Sequence, residues 1–359
     1  MDYKKSIALF SDIHIHPHSM SIEKLEDCLK CLEWIYKESV AREIPYIIFA
    51  GDLFHDRHRI NIFAYNKTYD ILHEYSKKIK SYYLIGNHDM FYRFSKNVTS
   101  IKPFSEIIQV IDKPKTIKFH DVPIDFLPYT ESEQSEELKK IKNKSDILIG
   151  HLSIVGATLN SLWSTRYKED DLVEDISETP IKSLSRYQRV FLGHFHAKQK
   201  VSNNIEYIGS PLQLSFGEAM DKKGFIIFDP KSVETEFIEN NFTSKYFILP
   251  YDADFSAYDL KNSYLKIITS KSSKVDQLTI KEEIKNNFGP KTIEVMMPSS
   301  SEEDIKLSEE ISGIEDFTNN TQDIITNFIN SVETELDRDQ LINIGIKIAQ
   351  TIDDKEIEY

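Results

Sequence analysis

Five times in its first two hundred residues this chain runs through a short apolar, β-branched stretch and stops on a polar motif. The stretches are 6–10, 46–50, 82–85, 147–149 and 190–192. The motifs are Ser11-Asp12-Ile13-His14, Gly51-Asp52-Leu53-Phe54-His55, Gly86-Asn87-His88-Asp89, Gly150-His151 and Gly193-His194-Phe195-His196. Apolar runs of this length predict buried strands, and further runs at 124–127, 205–208 and 225–228 extend the series. Between the first two runs, Leu25, Cys28, Leu29, Leu32, Ile35 and Tyr36 recur at helical spacing and predict a helix over 22–41. A second helix is expected over 62–79, carrying Phe63, Tyr65, Tyr69, Ile71 and Leu72. Strands alternating with amphipathic helices define an α/β chain, and in such sheets functional residues gather at the carboxyl ends of the strands.

Any one of these motifs alone is uninformative; five in order behind five strands make a constellation. Aspartate and histidine two residues apart at a strand end can both turn toward one cation. Carboxylate oxygen with imidazole nitrogen suits Mn, Fe or Zn, and the lack of thiolate ligands disfavours a structural zinc site. Asp52 can bridge two ions with its two oxygens, Asn87 offers a neutral amide oxygen, and His194 and His196 can each serve a different ion. Glycine before a ligand lets the backbone turn sharply at the rim.

Charge at first speaks against a nucleic-acid partner, because 44 basic and 58 acidic residues leave a net of −14. The excess is uneven: 300–359 holds 4 basic and 16 acidic residues, a net of −12, and the first 299 residues carry only −2. Two bound divalent cations would make that larger part positive, so binding to DNA is not excluded. Arg57, His58 and Arg59 form a short basic cluster beside the motifs, suited to backbone phosphates or simply to a solvated loop. Cys28 and Cys31, the only cysteines, rule out a disulfide framework and are expected as one core and one surface residue of the first helix. Trp34 and Trp163 are expected to pack. No apolar run approaches the ~20 residues needed to span a bilayer, and the N-terminus lacks a signal-peptide core, so a cytoplasmic protein is expected.

After Asp229-Pro230 the pattern changes. Strands at 264–269 and 292–297 flank a helix at 275–288, a small β-α-β unit. A polar, acidic segment follows, and then two amphipathic helices. The first carries Ile324, Ile325, Phe328, Ile329 and Val332; the second carries Leu341, Ile344, Ile348 and Ile352. The expected division is 1–240, 241–298, a linker at 299–317, and helices over 318–359. Two short helices cannot bury both apolar stripes alone, so they either fold back on the first domain or dock onto a partner.

Asp-x-His, Gly-Asp, Gly-Asn-His-Asp, His and Gly-His-x-His, in this order, resemble the calcineurin-like metallophosphoesterase superfamily. More narrowly the chain resembles the SbcD nuclease family, relatives of the eukaryotic meiotic recombination eleven nuclease and of a phage recombination endonuclease subunit. The narrower likeness rests on His55 in the second motif, on Tyr207-Ile208-Gly209-Ser210-Pro211 followed by Phe216-Gly217-Glu218, and on Lys223-Gly224-Phe225. The resemblance implies a four-layer α-β-β-α sandwich with a small α+β capping domain and C-terminal helices. It implies two divalent ions, most readily Mn. One would be held by Asp12, His14, Asp52 and His196 and the other by Asp52, Asn87, His151 and His194, with Asp52 as the bridge.

The resemblance also casts His88 as the residue that positions phosphate or protonates the leaving oxygen, with Asp89 expected to fix its tautomer and raise its pKa. His55 would orient His88 or the DNA end. The implied activity is 3′→5′ exonuclease and single-strand endonuclease, in a homodimer joined through its terminal helices to an SbcC-type coiled-coil ATPase, in a bacterial or phage-infected cytoplasm. Two other functions fit the same ligands: a small-molecule phosphoesterase, and a non-catalytic DNA-binding scaffold.

Overall fold

The computed structural model describes residues 1–18, 21–131, 134–141, 145–154, 157, 181–219, 221–269, 277–296, 338, 340–342 and 344. Trp163, the acidic segment 299–317, and Ile324, Ile325, Phe328, Ile329, Val332, Ile348 and Ile352 lie outside the described residues. The chain divides into two compact units, Met1–Ile267 with Asp276–Glu294, and Ile268–Val275 with Val295–Tyr359.

The first unit opens with β1 (Ile7–Phe10), α1 (Ile22–Ala41), β2 (Tyr46–Phe49), α2 (Ile62–Ser76), β3 (Lys80–Leu84), β4 (Met90–Tyr92) and β5 (Ser95–Thr99). It continues through β6 (Gln109–Ile111), β7 (Lys115–Phe119), β8 (Val122–Leu127), α3 (Gln134–Lys139), β9 (Ile147–His151), β10 (Arg189–Gly193), β11 (Gln199–Lys200) and β12 (Ile205–Tyr207). Then come β13 (Gly224–Phe228), β14 (Thr235–Glu239), β15 (Tyr246–Pro250), β16 (Tyr264–Ile268), α4 (Gln277–Phe288) and β17 (Thr292–Met296).

Two six-stranded mixed sheets dominate, one ordered β14-β13-β1-β2-β3-β6 and the other β11-β12-β10-β9-β8-β7. β1, β2 and β3 run parallel, and so do β8, β9, β10 and β12. Alternation along β1 explains how the sheets stack. Ile7 and Leu9 join Ile48, Leu84, Phe126, Ile149 and Phe191 in a core between the two sheets. Ala8 and Phe10 point the other way, into a core shared with Leu25, Leu32 and Ile35 of α1 and with Leu72 of α2. A strand buried on both faces must be apolar at every position, which is why IALF and YIIF read as unbroken runs. On the far face of the second sheet, Leu148, Val190 and Leu192 pack with Leu138 of α3, Leu184 and Tyr187.

Ser21 caps α1 by accepting from Lys24 N–H, and Asn61 caps α2 by accepting from Phe63 and Ala64 N–H. Helix α2 stops at Ser76, three residues short of expectation, because Ile79 turns into the core and Lys80 pairs with the Pro45 carbonyl to begin β3. Both cysteines are buried, which corrects the expectation of one at the surface. Cys31 packs beneath the Pro211 carbonyl (3.7 Å) and receives Asn240 Nδ2–H (3.5 Å). Trp34 packs edge-on against Phe225 and Phe242.

A three-stranded sheet, β15-β16-β17, accompanies α4. In the second unit, Thr269 N–H donates to the Met296 carbonyl at 2.9 Å, and residues 338, 340–342 and 344 are helical with Ile344 exposed. No helix among the described residues is long and apolar enough to cross a membrane.

Candidate metal centre

All five motifs leave the carboxyl ends of parallel strands, and the two sheets bring them to one place. The His194 N–H donates to both oxygens of Asp12 (3.0 and 3.1 Å), and the His151 Nδ1–H donates to the Ala50 carbonyl (2.7 Å). Each bond ties a loop of one sheet to a loop of the other. The approach leaves no room at the glycines: a Cβ on Gly51 would strike His151 Nδ1, and one on Gly86 would lie 2.6 Å from Asp52 N. Asp12, His14, Asp52 and His194 all have positive φ (53°, 45°, 67° and 106°), a region that costs L-residues roughly 1–3 kcal/mol each. Four strained residues among the proposed ligands mark a place where the fold is spent on aiming side chains.

Ligand atoms of Asp12, His14 and His196 lie within 4.8 Å of one another, and those of Asp52, His151 and His194 form a second such group. Asp52 Oδ2 lies 3.6 Å from His14 Nε2 and 3.4 Å from His151 Nε2, between the two groups. Its Oδ1 accepts the His88 N–H at 2.8 Å. Asn87 Oδ1 faces His151 Nε2 (2.9 Å) and His194 Nδ1 (3.0 Å).

Proton accounting tests whether cations belong here. His196 Nδ1 donates to Glu218 Oε1 (2.8 Å), so its Nε2 presents a lone pair, and that lone pair faces His14 Nε2 at 3.0 Å. His14 Nε2–H can donate to that lone pair, and His14 Nδ1 is then left buried with no hydrogen-bond partner. His151, its Nδ1 hydrogen committed to Ala50, turns Nε2 toward the acceptor oxygens of Asn87 and Asp52. Acceptors facing acceptors in a buried space are costly unless a proton or a metal ion lies among them. The donor set of carboxylate, amide oxygen and imidazole fits divalent metal ions.

The titration directions say the same. Burial opposes charge on His151, but the Asp52 carboxylate outweighs it and lifts the ring to about 9: a proton on Nε2 answers these oxygens, and a metal ion bound there would take that proton's place. Burial likewise opposes ionisation of Asp52, yet His151, His88 and His14 hold its carboxyl well below the usual range. Burial, then the neighbouring His151, pushes His194 down to about 3, keeping that ring neutral and able to offer a lone pair.

Glu218 and Lys223, marked in the sequence without a role, form the support of His196. Lys223 Nζ is buried and donates to the His196 carbonyl (2.9 Å), Ser210 Oγ (3.0 Å) and Glu218 Oε2 (2.9 Å). Glu218 Oε2 also accepts from Leu214 N–H (3.1 Å) and Ser210 Oγ (3.2 Å). Such hydrogen-bonded neighbours fix ring orientation and tautomer. The Gly-Ser-Pro loop is thereby locked to the last metal-bearing motif.

Asp89 corrects an expectation. It does not reach the His88 ring; it accepts from the N–H groups of Asp52 (2.9 Å), Gly86 (2.9 Å) and Leu53 (3.0 Å), pinning the second motif. Burial and then the Asp52 charge raise its carboxyl to about 7. His88 Nδ1 instead pairs with the His55 carbonyl at 2.5 Å, and burial lowers its pKa rather than raising it. His55 stacks on His88 with ring centroids 5.5 Å apart.

Of the basic cluster, His58 and Arg59 are exposed and Arg57 is half-buried, on a turn held by Asp56 Oδ1, which accepts from His58 and Arg59 N–H. Sequence reasoning missed Tyr129, whose ring stacks near His194 (6.1 Å); its only signal was its place just beyond β8, whose end opens on the same rim.

A strand-end centre of this composition is that of a metal-dependent phosphoesterase, and the family model for calcineurin-like phosphoesterases matches residues 5–198. The chain belongs to that family. It is 26% identical over 335 residues to Exonuclease subunit 1 of Enterobacteria phage T4, covering 89% of this chain and 90% of that protein. It is also similar to the SbcD chain of the SbcCD nuclease of Staphylococcus saprophyticus (27% over 223 residues, 60% of this chain) and to that of Staphylococcus epidermidis (28% over 234 residues, 57% of this chain). The chain spans 52% and 59% of the length of those two relatives.

Proposed function

We propose that this metallophosphoesterase is a two-metal, Mn-dependent DNA nuclease subunit, a 3′→5′ exonuclease and single-strand endonuclease that works with a coiled-coil ATPase of the SbcC type. The observation that carries the reading is Asp52 Oδ2, which belongs to the group with His151 and His194 and also lies 3.6 Å from His14 Nε2 of the neighbouring group, as well as 3.4 Å from His151 Nε2. Asp12, His14, Asp52 and His196 are assigned to one ion, and Asp52, Asn87, His151 and His194 to the other. Divalent ions held as a pair supply Lewis-acid polarisation of a phosphodiester and a bound water acidic enough to ionise near neutral pH.

The protein's own residues do the rest. His88 is anchored at both backbone and ring, by Asp52 Oδ1 and the His55 carbonyl, and its Nε2 is assigned to the scissile phosphate. With Nδ1–H committed to the His55 carbonyl, Nε2 bonds the phosphate only when it carries a proton taken up from solvent; burial, which lowers the pKa of the ring, makes that proton readily given to the departing oxygen, leaving His88 neutral. His55 holds His88. Arg57, His58 and Arg59 are assigned to flanking backbone phosphates.

The reading extends to the finer architecture: a four-layer nuclease domain over 1–240, a capping domain over 241–298, a linker over 299–317 and partner-binding helices over 318–359. A homodimer belongs to the same reading. The phage T4 and staphylococcal relatives, an exonuclease subunit and two nuclease subunits by name, support a nuclease subunit over a small-molecule phosphoesterase.

The test is direct. Purified chain with Mn²⁺ is expected to degrade labelled single-stranded and duplex DNA, and chelation to stop it. Asp52→Ala is expected to lose or weakly hold both ions on metal analysis; two tightly bound ions in that variant would sink the assignment.

A further inference from the structure

The loop that carries Asn87 and His88 runs straight into the β4–β5 hairpin, and that hairpin turns aromatic rings outward. Its base is clamped to the metal centre. Met90 is buried, the Asp89 carbonyl accepts the Ser100 N–H at 2.9 Å, and Ser100 Oγ donates to Asp89 Oδ1 at 3.3 Å. One side is held by Arg93 Nε on Glu131 Oε1 at 2.8 Å. Beyond the clamp, Phe91 is 41% exposed, Phe94 63% and Val98 49%. These residues serve no core, and a rigid base under exposed rings is the construction of a binding surface.

The surroundings say what binds. The Phe91 ring meets the His58 ring edge-on at 5.0 Å, so the hairpin abuts the Arg57-His58-Arg59 turn. Arg57 lies close enough to His88 and Tyr129 for its charge to act on both, and Arg93 to act on Tyr129. Aromatic faces beside arginines match the chemistry of a single nucleic-acid strand, stacking bases on rings and pairing phosphates with cations. A second copy of the chain fits less well, since a two-fold contact through this face would bring the basic turn near its own image.

Resting on the nuclease reading, we propose that Phe91 and Phe94 form a stacking platform for unpaired bases of the strand whose phosphodiester lies at the metal centre. The hairpin then favours single-stranded or frayed ends over closed duplex, because only unpaired bases offer free faces to the rings.

The experiment uses the full chain with Mn²⁺ and three substrates: a dT 20-mer, a blunt 20-bp duplex, and bis-p-nitrophenyl phosphate. Phe91→Ala with Phe94→Ala is expected to raise KM for the dT 20-mer about five- to hundred-fold. The ratio of kcat/KM on the 20-mer to that on bis-p-nitrophenyl phosphate should fall by a similar factor. Phe91→Tyr with Phe94→Trp, which keeps stacking faces, should restore it. An unaltered KM for the 20-mer overturns the proposal and leaves the nuclease reading standing. Equal losses on the small diester, or no rescue by the aromatic pair, make the hairpin structural and also overturn it. A halved molar mass with unaltered KM assigns the face to a second copy and overturns it too. A parent chain that hydrolyses the small diester but neither DNA overturns both readings.

Discussion

His88 shows how a residue's role is decided by what holds it. The sequence places it between Asn87 and Asp89, and the adjacent carboxylate invites a histidine–carboxylate pair. The backbone turn sends Asp89 inward instead, where three N–H groups claim it, and leaves the His88 ring to the His55 carbonyl. The His88 ring joins His14 and His55 in a third close group of possible ligands, apart from the ligand sets assigned to the two ions. His88→Ser is therefore expected to retain both metal ions and DNA affinity while losing ~10²–10⁴-fold in cleavage. Near-normal turnover in that variant, with metals bound, would remove His88 from the mechanism.

Elements differ in how plainly the chain announces them. The central strands and α1 were legible because burial on both faces, or on one helical stripe, imposes a pattern. β7, β11 and β14 were not, because edge strands such as KTIKF and TEFIE alternate charge with apolar residues and pair on one side only. The β4–β5 hairpin was missed for a related reason: it contributes Met90 and Thr99 to the interior and turns most of its residues out. Ligand candidates were legible one strand at a time, but their support was not. Glu218 sits 22 residues beyond His196 on a short 3₁₀ turn, and only the tertiary fold brings it to Nδ1.

That support carries a stability consequence. Burial opposes charge on Glu218, but Lys223 and then His196 hold its carboxyl well below its ordinary 4.5. A depressed acid stabilises the folded state above its unfolded pKa, and the stabilisation is lost as pH falls through the folded value. Lys223→Met strands a buried carboxylate, at a cost of roughly 3–5 kcal/mol near neutral pH. The Glu218 pKa then rises toward or above 4.5, so acid relieves the variant where it harms the parent. Melting curves should show a lower Tm for Lys223→Met at pH 7 and a gap that narrows between pH 5 and 3. A constant gap would mean that the lysine stabilises by packing alone.

At the scale of the whole molecule, charge and apolar pattern divide the labour. The first 299 residues, close to neutral, carry every proposed ligand, while 300–359 holds a net of −12 and the stripe Ile325, Phe328, Ile329, Val332, Leu341, Ile344 and Ile348. A strongly acidic segment is a poor partner for DNA, so the stripe calls for protein. Burying an apolar side chain contributes roughly 1.5–3 kcal/mol, and two charges at the centre of such a contact would weaken it by several orders of magnitude. Truncation after Pro298, or Phe328→Asp with Ile348→Asp, is thus expected to abolish co-purification of the proposed ATPase partner. Mn²⁺-dependent cleavage of single-stranded DNA should survive, because Asp12 through His196 lie upstream. If 300–359 instead folds back onto the metallophosphoesterase domain, the reverse is expected, a truncated chain that loses both Tm and activity on its own. A thermal melt of the truncation beside the pull-down separates the two: an unaltered Tm with a lost partner supports docking, and a lowered Tm with lost cleavage rejects it.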